Sequence, residues 1–151
     1  MLTFLDSSGE ALRKGAEAAP FFIKPNETEA RSLLGIEAKR PMDFAQAAVE
    51  MSTTYKANVL LSMGANGAVA AKGQEVFIVK SLTVEAKSAV GSGDCMLAGL
   101  VYGFLHGLSF EEAITSGAAA GSANTLTIGA GQFKIEDYEK MRGQVQISIQ
   151  S

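Results

Sequence analysis

Cysteine occurs once in this 151-residue chain, as Cys95, and histidine once, as His106. An internal disulfide is therefore impossible, and a single thiol suits a reducing compartment. One residue of each kind also leaves too little for Cys–His nucleophilic catalysis or a multi-ligand zinc site. Basic runs are missing too: the densest cationic spot is the pair Lys39-Arg40, and the formal net charge is −3. A nucleic-acid groove needs clustered Lys and Arg, so that class is excluded. Any anionic ligand has to be held by backbone N–H groups, helix ends, a metal or a few local cations. Met1–Asp6 has no apolar stretch long enough for a signal peptide, and no later run is long enough to span a membrane. The cytoplasm is the expected location, with no membrane partner. The chain also lacks a G-x-S-x-G nucleophile elbow, a Gly-Lys-Ser/Thr phosphate loop and a first-strand G-x-G-x-x-G dinucleotide fingerprint.

Glycine, by contrast, is plentiful: sixteen residues, roughly half as many again as the ~7% average. They crowd into Gly64–Gly73, Gly91–Gly107 and Gly117–Gly131, which marks these segments as ligand-facing or tightly packed. Between them, short apolar runs alternate with helical patterns. Leu2–Leu5, Phe21–Ile23 and Asn58–Met63 read as strands, and Glu10–Ala19 and Thr28–Leu34 as helices. Phe44, Ala48, Met51 and Tyr55 recur at helical spacing after Pro41. Ala68–Lys72 and Glu75–Val79 flank Gly73-Gln74 as a hairpin. From Gly91 onward the chain reads as wholly helical, over Ser92–Leu105, Phe110–Thr127 and Ile135–Met141, with Ser109 and Glu112 as a capping box. The alternation predicts an α/β fold, a parallel sheet with helices on both faces. No linker, low-complexity tract or repeat interrupts it, so one domain over residues 1–151 is expected.

Four segments could carry chemistry, and each has a plain structural reading beside the functional one. In Gly91-Ser92-Gly93-Asp94, two glycines open the first turn of a helix whose free N–H groups and dipole favour an anion. Asp94 is the only formally charged residue from Ser88 to Phe110, and a carboxylate in so apolar a stretch is costly unless function or hydrogen bonding retains it. Alternatively it only complements the helix dipole. In Lys24-Pro25-Asn26-Glu27-Thr28-Glu29, Asn26 and Glu29 make a helix cap without any ligand. They also lie at the carboxyl end of a strand, where open α/β sheets bind ligands and a carboxylate can hold Mg²⁺ through water. Ser62-Met63-Gly64-Ala65-Asn66-Gly67 is a strand followed by a glycine turn. Gly117–Asn124 is a helix of small residues suited to close packing. Cys95 reads as a small buried hydrophobe and His106 as a helix-end residue meeting free carbonyls.

Taken together with Asp6-Ser7-Ser8-Gly9, these segments occur in an order and at spacings that resemble the ribokinase-like, PfkB-type carbohydrate kinases over nearly the whole chain. The Asp-Ser-Ser-Gly and Lys-Pro-Asn pieces look most like the phosphosugar branch: 6-phosphofructokinase of the minor type, 1-phosphofructokinase and tagatose-6-phosphate kinase. The resemblance implies ATP and Mg²⁺ as cofactors and a phosphorylated ketohexose as acceptor. It implies that Asp94 takes the proton of the attacking hydroxyl while Gly91, Ser92 and Gly93 help form the anion hole. It places Lys24 at the nucleotide phosphates, Asn26 and Glu29 in the N-x-x-E motif that positions phosphates and Mg²⁺, and Ser62, Gly64 and Gly67 beside ATP. Asn124 falls where the family's late helix borders the adenine.

Ser92 stands where alanine is commoner in the family, and Ala89 where threonine is frequent. The larger departure is length. Family members carry a preceding half with most sugar contacts and a small β-sheet lid, so this chain is expected to be the C-terminal nucleotide-binding and catalytic portion of the three-layer domain. Such a portion is expected to be inactive by itself and to self-associate, as a homo-oligomer or against another chain. Two other readings stay open: a nucleotide-binding segment without catalysis, and a Rossmann-type binder.

Overall fold

The structure is a computed structural model that describes residues 1–150. It divides into two compact units: Met1–Ile78 with the strand residues from Ser148 onward, and Val79–Ile147.

The first unit is built on a six-stranded mixed sheet of order β1-β2-β3-β4-β5-β6. Its elements are β1 (Phe4–Leu5), α1 (Gly9–Glu17), β2 (Phe22–Ile23), α2 (Glu27–Leu34), α3 (Pro41–Tyr55), β3 (Asn58–Ser62), β4 (Ala68–Lys72), β5 (Glu75–Val79) and β6 (Ile147–Gln150). Strands β1, β2 and β3 run parallel, with Leu5 opposite Ile23 and Ile23 opposite Val59. Each parallel step passes through helix, as such connections require. The parallel pattern stops at β4, which pairs antiparallel to β3 with Leu60 opposite Ala70. The reason is local: the link from Ser62 to Ala68 holds only a short 3₁₀ turn, Gly64–Asn66, too few residues for a crossover. Gly73-Gln74 closes β4 onto β5, as the hairpin signal predicts.

Strand β3 is apolar on both faces, and both are buried. Val59 and Leu61 share a core with Phe44, Ala48 and Met51 of α3 and Val69 and Ala71 of β4. Leu60 and Ala70, on the opposite face by strand alternation, are also buried. Helix α1 seats Leu12 and Ala16 against Ile23 and Ala57 and ends sooner than expected, with Ala19 in the left-handed region at φ 51°. The strand reading also overreached at the amino end, where Leu2 and Thr3 lie outside β1 and are exposed.

The second unit contains α4 (Ser92–Leu105), α5 (Phe110–Asn124) and α6 (Ile135–Gln144). Helix α5 stops at Asn124 rather than Thr127 because threonine hydroxyls take its last carbonyls, Thr125 donating to Ser122 at 2.7 Å and Thr127 to Asn124 at 3.3 Å. Its start is the capping box foreseen: Ser109 N–H donates to Glu112 at 2.8 Å and Glu112 N–H to Ser109 Oγ at 3.3 Å. The Ser109 N–H holds the Glu112 carboxyl below its ordinary value. Its stabilising share is therefore complete above the unfolded glutamate pKa and is lost as pH falls through the lowered one. One element contradicts the wholly helical tail. Ile147–Gln150 forms β6 beside β5, a pairing too short to show a period and too distant in sequence to be read locally.

Candidate active-site residues

In the first unit the carboxyl ends of three adjacent parallel strands bring the expected polar segments together. Asp6 follows β1, Lys24 follows β2, and Ser62 closes β3. Asn26 and Ser62 form a parallel β-bridge, with Ser62 N–H donating to Pro25 O at 3.0 Å. The Lys-Pro-Asn and Ser-Met-Gly segments are thus one continuous surface, as carboxyl-end binding crevices of α/β sheets require. Beyond Ser62 the chain turns through Gly64 at φ 53° and Gly67 at φ 87°. Met63 N–H donates to Gly67 O at 2.9 Å across that turn.

Lys24 is only 5% exposed, and its Nζ lies 3.0 Å from Asp6 Oδ2. A buried ammonium needs an anion, because desolvating it alone is expensive. Sequence reasoning gave Asp6 no site role beyond its motif. Its signal was there, a carboxylate just after an apolar strand, but the partner became visible only when β1 and β2 paired. We expect Asp6→Asn to lower the melting temperature of this chain. Asp6→Asn with Lys24→Met should regain most of the loss, since the ammonium that needs the carboxylate is then gone. Equal melting of wild type and Asp6→Asn in a calorimetric scan would deny the pair any weight.

Asn26 and Glu29 form the capping box that their spacing predicts. Glu29 N–H donates to Asn26 Oδ1 and Asn26 N–H to Glu29 Oε2, both at 2.9 Å. Capping occupies one carboxylate oxygen of Glu29 and leaves Oε1 without a protein partner among the described residues. No group of three or more His, Cys, Asp or Glu side chains there could cage a metal. A single carboxylate with one open oxygen nevertheless fits a hydrated Mg²⁺ held through water, the usual mode for that ion beside phosphates.

In the second unit Gly91 precedes α4 in the left-handed region at φ 79°. A Cβ there would collide with Ala130, so both backbone and space demand glycine. Cys95 N–H donates to Gly91 O at 2.9 Å and Ser92 N–H to Ala89 O at 3.2 Å. Among the described residues nothing accepts from the N–H groups of Gly91, Gly93 or Asp94. These are orphan donors at a helix head, where the dipole adds positive potential.

The Asp94 side chain is exposed and makes no capping hydrogen bond. The sequence argument from a costly buried carboxylate therefore does not hold: the apolar neighbours of Asp94 turn inward while it faces solvent. What remains is an accessible carboxylate beside three free N–H donors. Asn124, expected at the adenine, has its amide engaged with protein. Nδ2 donates to Val90 O at 2.8 Å and to Ser92 Oγ at 3.2 Å, and Oδ1 accepts from Gly131 N–H at 2.8 Å. Cys95 is buried with its thiol donating to Asn124 Oδ1 at 3.3 Å. His106 caps α4, its Nδ1 2.9 Å from Tyr102 O, as its helix-end position implies.

Comparison with known proteins shows the family. Residues 1–137 match the pfkB family carbohydrate kinase, and the chain belongs to that family. It is 31% identical over 143 residues to a 1-phosphofructokinase of Vibrio cholerae, covering 95% of this chain and 45% of the relative. It is 34% identical over 139 residues to the ATP-dependent 6-phosphofructokinase isozyme 2 of Escherichia coli, covering 91% of this chain and 45% of that protein. Phosphofructokinase-2 from Escherichia coli in complex with potassium superposes with a TM-score of 0.87 at 33% identity, over 93% of this chain and 46% of that one. A tetrameric inhibited form of the same Escherichia coli enzyme is similar at a TM-score of 0.86, 32% identity and 95% coverage of this chain against 46% of that one. The chain thus spans about half the length of the relatives it matches. Among the described residues no helix is long and apolar enough to cross a membrane.

Proposed function

We propose that this chain is the C-terminal nucleotide-binding and catalytic portion of a kinase that phosphorylates a phosphorylated ketohexose with ATP, of the 1-phosphofructokinase or a related phosphofructokinase type. The observation that carries the reading is the head of α4: three N–H groups without acceptors beside an exposed, unbonded carboxylate. Phosphoryl transfer is catalysed mainly by positioning and charge stabilisation. The N–H groups of Gly91, Gly93 and Asp94 meet the charge developing on the transferring group. The Asp94 carboxylate accepts the proton of the attacking hydroxyl. In the first unit Lys24, oriented by Asp6, presents its ammonium to nucleotide phosphates, and the Ser62–Gly67 turn offers backbone for close approach. The open oxygen of Glu29 would hold a hydrated Mg²⁺ through its waters, with Asn26 beside it at the phosphates. Mg²⁺, when bound, supplies charge neutralisation on the phosphate oxygens.

The metal role has its own test. Glu29→Gln keeps a cap acceptor but removes the charge, and the Mg²⁺ concentration for half-maximal activity of the complete kinase should rise. An unchanged Mg²⁺ titration with some loss of stability would leave Glu29 as a helix cap only.

The activity is tested by coupled ADP release in the complete kinase with fructose 6-phosphate, fructose 1-phosphate and tagatose 6-phosphate. Preference for the last would select the tagatose-6-phosphate kinase reading. This 151-residue chain alone is expected to release no sugar-dependent ADP, because an acceptor that is not held near the phosphate loses the gain from positioning. It is also expected to self-associate, which light scattering across concentration reads. Sugar-dependent ADP release by a clean monomer would overturn both expectations.

A further inference from the structure

We propose that Asn124 is a positioning residue whose side-chain amide sets the direction of the anion-binding N–H groups at the head of α4. The inference rests on the reading of that turn given above. Asn124 is 0% exposed, so its amide depends on protein partners for its hydrogen bonds. They are also polar in opposite senses on its two sides. Nδ2 donates to Val90 O at 2.8 Å and Ser92 Oγ at 3.2 Å; Oδ1 accepts from Gly131 N–H at 2.8 Å and Cys95 Sγ at 3.3 Å. A backbone carbonyl only accepts and a backbone N–H only donates, so Val90 and Gly131 together dictate which way the amide lies. No residue of the same shape satisfies both: ionised aspartate offers acceptors alone, and leucine offers neither.

The two groups that receive from Nδ2 stand on either side of Gly91, the residue whose left-handed backbone turns the chain into α4. The residue that caps α5 completes the grip. Thr125 O accepts from Lys87 N–H at 2.7 Å and Ser88 N–H at 3.2 Å. The Lys87–Ser92 approach is thus pinned at several points by the carboxyl end of α5 and its cap residue, while Gly91 packs directly on Ala130. Rotation of the Val90–Gly91 peptide would break the Asn124 bond to Val90 O, and rotation of the Gly91–Ser92 peptide would break the turn bonds to Cys95 N–H and Ala89 O. Removing the amide donors frees the first rotation, lets the Gly91 N–H, which shares its peptide with Val90 O, swing away from the anion, and loosens the helix head that carries Gly93 and Asp94. Donors fixed before reaction are what make such a hole effective, and small misplacements cost rate out of proportion to binding.

The test has two arms. In the complete kinase, Asn124→Asp keeps the shape and the acceptor contacts but removes the donated bonds. We expect kcat to fall about 10–100-fold, less than loss of an entire donor, with KM for ATP within about two-fold of wild type. An unchanged kcat overturns the inference. So does a raised KM for ATP at unchanged kcat, which would put Asn124 against the base instead. The second arm needs neither a folded variant nor kinase activity. Inorganic phosphate is titrated into the wild-type 151-residue chain while amide resonances are followed. The side-chain amide protons of Asn124 should shift in step with the N–H groups of Gly93 and Asp94, at the same apparent affinity. Movement of Gly93 and Asp94 with Asn124 unmoved overturns the positioning role. Absence of movement at all three removes the anion site and the inference with it. Failure of the kinase reading alone would show as no sugar-dependent turnover by the wild-type complete kinase, with the phosphate titration still deciding Asn124.

Discussion

In the complete kinase, Asp94→Asn should lower kcat by about 10²–10⁴-fold, the usual contribution of a general base, while MgATP still binds. The amide preserves size and hydrogen-bonding reach but does not take up the hydroxyl proton. Structure makes this a clean substitution. Asp94 is exposed and makes no capping hydrogen bond, so its loss leaves no buried partner unsatisfied and should barely change the melting temperature. The backbone N–H of residue 94 also stays, so the proposed anion hole keeps its donors. Rate and binding should therefore separate: turnover measured by coupled ADP release collapses, and calorimetric titration with MgATP gives nearly the wild-type affinity. A variant that keeps most of its kcat would return Asp94 to the role of a surface carboxylate favoured by the helix dipole, a contribution of roughly 0.3–1 kcal/mol.

The second large effect concerns stability. Helices α4 and α5 approach so closely that side chains give way to bare backbone at the crossing. A Cβ built on Gly99 would lie 2.5 Å from Ser116 O, 2.9 Å from Ala120 Cβ and 3.0 Å from Gly117 Cα. On the facing helix, a Cβ on Gly117 would lie 2.8 Å from Met96 O. Since the nearest obstacles are backbone atoms, relief requires the helices to separate. Overpacking costs about 1–3 kcal/mol, and a clash with backbone on two sides belongs at the upper end of that range. Alanine recovers roughly 1 kcal/mol through its better helix propensity, so Gly99→Ala should lose about 2 kcal/mol net and Gly99→Val considerably more.

Gly143 provides the control, because it lies in α6 with nothing within 4 Å of a built Cβ. Gly143→Ala should be neutral or stabilising by up to about 1 kcal/mol. Urea unfolding followed by circular dichroism measures all three variants. Equal midpoints for Gly99→Ala and wild type would show that the crossing relaxes freely. The Gly117–Asn124 segment is accordingly a packing surface along most of its length, as its small residues imply. At its end Asn124 instead turns its amide to Val90, Ser92 and Gly131.

Local patterns in the sequence were enough for most elements and for the capping boxes of α2 and α5. Asn26 with Glu29 and Ser109 with Glu112 lie three residues apart, and each pair closes within its own helical turn. The glycine turn before α4 and the order of the polar segments were likewise enough to point to the kinase family, since these are contiguous motifs. Tertiary structure decided what depends on distant chain. Lys24 needed Asp6, β6 needed β5, and Asn124 needed Val90 and Gly131 on opposite sides of its amide. It also decided that Asp94 faces water, although its neighbours Cys95, Gly99 and Leu100 are buried. Hydrophobic composition along a strand or helix shows that a segment will be buried, but not which residue in it stays outside. That choice belongs to the packing of whole elements, whose free energy is summed over surfaces brought together from far apart in the chain.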